Sequence, residues 1–245
     1  MTQSLYIVER SAIHTLQHFF KKYDVSLPVD LWNDALILII QSLMEIDVSQ
    51  LIDASRYERN GARRAYRNGY RESAWIMNQQ NIPLRIPKLR SGTYSPNFLN
   101  DSMMESLLTD TILQAYVAGV SFENLKHLLT TLMIQAHPSQ IASLQENLYD
   151  LMTHYQQRDL TPSAVQLEVL PIDDKGRKRY LAIAFDEDEL LDCEITSEAD
   201  DEFWQDFVRR LDGRIIHGVE YVLVSRVHTV VRYARSNTPN MALAA

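Results

Sequence analysis

Between Asp53 and Arg90 nine cationic side chains crowd an otherwise acidic chain: Arg56, Arg59, Arg63, Arg64, Arg67, Arg71, Arg85, Lys88 and Arg90. Three acids (Asp53, Glu58 and Glu72) oppose them, so the window carries +6 within a chain of net −8. Tyr57, Tyr66, Tyr70 and Trp75 are interleaved with the charges. Cationic groups neutralise phosphates and aromatic rings stack on bases, so the pattern suits a nucleic acid. A solvated charged face is the alternative reading. The sequence pI near 5.4 repels phosphate at long range. Phosphate contacts are short-range, however, and a local patch still binds within a Debye length of roughly 10 Å.

Other chemistries have weaker signals. His14 and His18 stand one helical turn apart, a metal-binding spacing, but HTLQH lacks the Glu of the zinc-protease pattern and no third ligand is evident. Eleven acids and no Lys or Arg run from Asp186 to Asp206. They suit a solvated face, a replacement metal site or a dock for the basic window, and Glu198, Asp200, Asp201 and Glu202 favour a helix N-terminus electrostatically. Cys193 sits among these acids, which disfavours a thiolate. Seven glycines in all leave no room for a glycine-rich phosphate loop, and there is no G-x-S-x-G elbow. One cysteine excludes an internal disulfide and suits a reducing cytoplasm. No signal-peptide pattern opens the sequence, and no apolar run is long enough for a bilayer.

The elements that must position these residues follow from periodicity. Residues 5–22 read as a helix. Pro28 and Asp30 open a second, to about Ile46, apolar nearly all round and therefore buried, in a core or against a second copy. Asn68-Gly69 signals a turn, and the tail from Ser236 reads as frayed. Arg71–Met77 and Ile82–Ile86 read as strands. In the second, Ile82, Leu84 and Ile86 point one way and Pro83 and Arg85 the other. Its prolines make it an edge strand. Three helices follow: Met103–Val117, Phe122–Met133 after an N-cap at Ser121, and Pro138 to about Gln157. They suggest a helix-turn-helix unit whose third helix presents Ser139, Gln140, Ser143 and Gln145 to base edges, or, since that helix carries no Lys or Arg before Arg158, a purely structural three-helix unit. Three strands, a helix (Glu198–Leu211) and a fourth strand (Val219–Ser225) follow the linker at Thr161-Pro162-Ser163. The expected class is α+β and multidomain. It comprises an N-terminal helical region (1–52), a basic β-hairpin (53–100), a three-helix unit (101–160), an α/β domain (161–235), which the resemblance described next implies is a partial RNase H-like one, and a tail (236–245).

YRNGYRE at 66–72, PLRIPKLRSGTYSPNFL at 83–99 and ILQAYVAGVSFENLKHLL at 112–129 are long, ordered and correctly spaced. Together they closely resemble the mutator-type (IS256-like) transposases, with weaker identity continuing to about Ala234. The resemblance implies an RNase H-like domain with three carboxylates: on the first strand, just after the fourth, and on a later helix. These would hold divalent cations, Mg²⁺ in active members, for phosphodiester chemistry. On the first strand the counterpart is Glu168. At the fourth-strand position the register puts Arg226, and a guanidinium repels a metal. The third carboxylate would fall beyond this sequence. Glu168 and Arg226 are expected to form an ion pair in place of a cation site.

The sequence therefore reads as a truncated, transposase-derived, cytoplasmic DNA-binding protein, with no cofactor of its own and unable to perform strand transfer alone. Double-stranded DNA is the expected partner, along with a second copy or an active relative. Cations at 56, 59, 63, 64, 67, 71, 85, 88 and 90, with Gln140 and Ser143, would make the contacts. The rival readings are a protein-interaction module, or an active transposase completed by another chain.

Overall fold

The structure is a computed structural model, and it describes residues 2–55, 58, 61–77, 79–100, 103–174, 176–217, 219–223 and 241–243. Two compact units divide the chain. One joins Met1–Val29 to Thr153–Ala245, and the other is Asp30–Met152.

The continuous unit begins with α2 (Val29–Leu51), whose residues Leu31, Ala35, Leu36, Ile39, Ile40, Leu43 and Met44 are all buried. The nearly all-round apolar pattern required this. Among its polar residues, Gln41, Glu45 and Ser49 form a stripe at four-residue spacing on one helical face. The antiparallel pair β1 (Arg67–Met77) and β2 (Gln80–Leu89) lies on that stripe. Ile82, Leu84 and Ile86 are buried while Pro83 and Arg85 are exposed, as the alternation requires. Asn68-Gly69 is not a turn. It lies inside β1, where the register shifts between Arg67 and Tyr70, and Gly69 takes φ +77°. A bulge needs the same left-handed backbone as a turn, which explains the shared signal.

Three helices complete this unit: α3 (Met104–Ala118), α4 (Phe122–Thr131) and the start of α5 (Pro138–Gln156). Ser121 caps α4, its side chain accepting from the Asn124 N–H at 3.1 Å. Residues 132–137 join α4 to α5, with Met133 at φ +56°.

The second unit is built on a five-stranded sheet of order β5-β4-β3-β6-β7. Here β3 (Ala164–Asp174), β4 (Arg177–Asp186) and β5 (Glu189–Thr196) form an antiparallel meander. β6 (Glu220–Leu223) runs parallel to β3. The tail is not wholly frayed: Met241–Leu243 forms β7, a short apolar segment parallel to β6 that takes up its open edge. Helix α6 (Asp201–Asp212) follows β5. Asp200 caps it by accepting from the Phe203 N–H at 2.9 Å. Its Trp204, Phe207, Val208 and Leu211 bury one sheet face formed by Val165, Leu167, Ala182, Ala184 and Leu191. Successive strand residues face opposite ways, so Glu168 and Ile183 belong to the other face. Helix α1 (Thr2–Tyr23) packs there on β3 and β4, with Phe19 edge-on to Phe185 at 5.1 Å. No helix among the described residues is long and apolar enough to cross a membrane.

Candidate nucleic-acid interface

The α2 stripe decides how the basic window is presented. Gln41 uses its side-chain amide as a substitute strand: its oxygen accepts from the Arg85 N–H at 2.7 Å and its nitrogen donates to the Arg85 carbonyl at 3.0 Å. Glu45 accepts from the Tyr70 hydroxyl at 2.6 Å and lies 3.5 Å from Arg67 Nε. Arg67 also donates to Ser49 Oγ at 2.8 Å. Beside them the Tyr94 hydroxyl donates to Asp47 at 2.8 Å, and burial, then that carboxylate, pushes the Tyr94 phenol far above its usual range.

These contacts sort the expected DNA-binding cations. Arg67 is turned inward, its side chain 16 % exposed, and acts as a structural tie. Arg63 donates to the Ser55 and Glu58 carbonyls, and Arg64 pairs with Asp53 at 2.7 Å. Arg71 is exposed and reaches the Tyr94 carbonyl at 3.5 Å. Arg85 is exposed, lying 4.8 Å over the Tyr70 ring and 3.7 Å from Glu72. Lys88 and Arg90 are exposed and, among the described residues, have no ion-pair partner. Arg56 and Arg59 lie outside the described residues.

On α5, Gln140 accepts from the His137 N–H at 2.9 Å, and Ser143 is exposed. Gln145 does not face outward as expected; it donates to the Val120 carbonyl at 3.0 Å and holds α5 to the turn before α4. Gln140, Ser143, Arg85 and Tyr70 all line one groove. Sequence reasoning missed the organising stripe on α2, although its i, i+4, i+8 polar spacing was a readable signal.

In the other unit, Glu168 is buried on β3, 6 % exposed. One of its oxygens lies 3.9 Å from the Lys22 ammonium of α1, and the other has no hydrogen-bond partner among the described residues. Lys22 also donates to the Tyr23 hydroxyl at 2.7 Å; that bond, with a smaller pull from Glu168, holds its ammonium above the usual lysine range. β3 and β6 are neighbours, paired from Ala164 with Glu220 to Leu167 with Leu223. Arg226 lies outside the described residues, and with it the expected Glu168–Arg226 pair. The charged neighbour of Glu168 among the described residues is the Lys22 ammonium, which competes with any cation for the carboxylate.

The acidic run is largely consumed by structure. Arg214 lies 3.4 Å from Asp192, Arg158 2.8 Å from Glu189 and Arg209 2.6 Å from Asp206, while Arg210 bonds Glu194. Burial raises the Asp192 carboxyl above its usual range, against the pull of Arg214. Burial, then Asp192 and Glu194, drives the Cys193 thiol well above its own.

The family model "Transposase, Mutator family" matches residues 9–242 of this sequence. The chain belongs to the Mutator family of transposases. Among its relatives, the transposase for insertion sequence element IS256 in transposon Tn4001 of Staphylococcus aureus is 27 % identical over 99 % of this chain and 64 % of its own length. The transposase for insertion sequence element IS1081 of Mycobacterium tuberculosis is 29 % identical over 79 % of this chain and 50 % of itself. The transposase for ISRM5 of Rhizobium meliloti is 27 % identical, covering 76 % and 50 %. This Mutator-family chain thus spans between half and two-thirds of the length of the curated relatives it matches.

Proposed function

We propose that this Mutator-family chain binds double-stranded DNA in transposition, through the basic hairpin and the three-helix unit, and does not carry out strand transfer by itself. The observation that carries the first half is the exposure of Arg85, Lys88 and Arg90 along β2 and the residue after it, two of them without a described counter-charge. Such cations gain by releasing condensed counter-ions from DNA. The order β5-β4-β3-β6-β7 and the parallel pairing of β3 with β6 support an RNase H-like sheet. The ammonium beside Glu168, and the guanidinium that the sequence register assigns to the fourth-strand position, support a sheet that holds no catalytic cation.

Mobility shift of duplex DNA at several salt concentrations tests the binding. Affinity should fall steeply with salt, and Lys88→Gln with Arg90→Gln should flatten that dependence by about 0.9 for each phosphate no longer neutralised. Absence of any shift at low salt would instead favour a protein-interaction module. Strand transfer by this chain alone in Mg²⁺ or Mn²⁺ would refute the second half.

A further inference from the structure

A groove of about 760 Å³ runs between α2, the hairpin and the first turns of α5, all within Asp30–Met152. Its α5 wall carries Ser139, Gln140, Ser143 and Asn147, which share one helical face. The opposite wall carries Arg85 and Tyr70. Glu45 lies on the lining, but Tyr70 and Arg67 already occupy its carboxylate. Glu146 and Asp150, acidic and exposed on α5, are not part of the lining.

The two walls differ chemically. The α5 wall is neutral and offers hydroxyl and amide groups, each able to donate and accept. Phosphate oxygens use only the donors of such groups, whereas base edges present donors and acceptors together and use both. The hairpin wall offers a guanidinium held in place: Gln41 pins the Arg85 backbone at two points, and the Tyr70 ring underlies its side chain. Lys88 and Arg90 follow in sequence and are exposed, outside the groove lining.

We infer that this groove seats one sugar-phosphate ridge of duplex DNA, with Arg85 on the phosphates and Ser143 and Asn147 reaching the neighbouring base edges. The inference rests on the DNA-binding reading and adds a division of labour to it. The hairpin sets affinity, α5 sets sequence preference, and the α2 stripe fixes the spacing between them.

The test uses the full chain and a pool of duplexes with a randomised centre. The wild type should enrich a sequence preference. The double variant Ser143→Ala with Asn147→Ala should lose or change part of that preference while keeping the salt dependence. Arg85→Gln should weaken binding evenly across sequences and reduce the salt slope by about 0.9. Thermal melts establish that each variant is folded; Ser143 and Asn147 are exposed, so no loss of fold is expected. A double variant that keeps the wild-type preference would overturn the groove assignment and leave DNA binding through Lys88 and Arg90 standing. A salt slope unchanged in Arg85→Gln would overturn the phosphate seat. A wild type that binds no duplex at low salt would remove both readings.

Discussion

Among the described residues, a buried carboxylate with one oxygen 3.9 Å from a half-exposed ammonium and no donor to the other is poorly compensated. Glu168 should therefore cost the fold stability where it stands. Glu168→Met, which removes the charge and keeps the bulk, is expected to raise unfolding stability by about 1 kcal/mol. Lys22→Met is expected to lower it by about 1 kcal/mol, a value discounted for solvent screening of the ammonium. In the double variant the loss at position 22 should vanish, and urea titrations of all four proteins would measure the coupling; additive effects would disprove the pairing. A second residue gives a simpler readout. With its thiol raised by burial and by Asp192 and Glu194, Cys193 should not react with a thiol reagent at pH 8 in the folded protein, and should react once urea unfolds it. Lys22 itself was not legible from the sequence. Nothing in the pattern of α1 says that its last turn reaches β3, because that contact depends on how far the helix extends over the sheet.

At the scale of elements, the hairpin depends on a helix rather than on a larger sheet. Two strands alone are marginal in water, and here three α2 side chains hold them. Glu45→Ala removes the acceptor of Tyr70 and the counter-charge of the nearly buried Arg67, and should cost about 3 kcal/mol. Faster amide exchange confined to β1 and β2 would confirm the mechanism. Gly69→Ala should cost about 1 kcal/mol through backbone strain alone, since no atom lies within 4 Å of the added carbon. Periodicity placed most of these elements correctly: the alternation of 82–86, the cap at Ser121 and the helix before β6 were all legible. The bulge was not, because Asn-Gly satisfies a turn and a bulge by the same positive φ. Nor was the inward Arg67, since composition counts a tied guanidinium and a free one alike. Among the described cations of the window, Lys88 and Arg90 are the least encumbered charges.

In the molecule as a whole, one unit is made from both ends of the chain and the other from an uninterrupted run. Residue order conceals this, since α1 and α2 are adjacent in sequence yet belong to different units. Removing residues 2–28 should strip the face of β4 that carries Phe185 and unfold the sheet, while the run from Asp30 to Met152 keeps its core. The tryptophans report on the two separately: emission from Trp204 should shift to the red, while that from Trp32 and Trp75 should not. Simultaneous loss of all three signals would show that the units do not fold independently. The same arrangement bears on biosynthesis. Helix α1 leaves the ribosome before the continuous unit, yet the strand that covers Phe19 is translated only after that whole unit. At roughly 5–20 residues per second the delay is on the order of ten seconds. Throughout that interval the apolar side of α1 lacks the sheet that covers it, while the hairpin and its helices are already free to assemble.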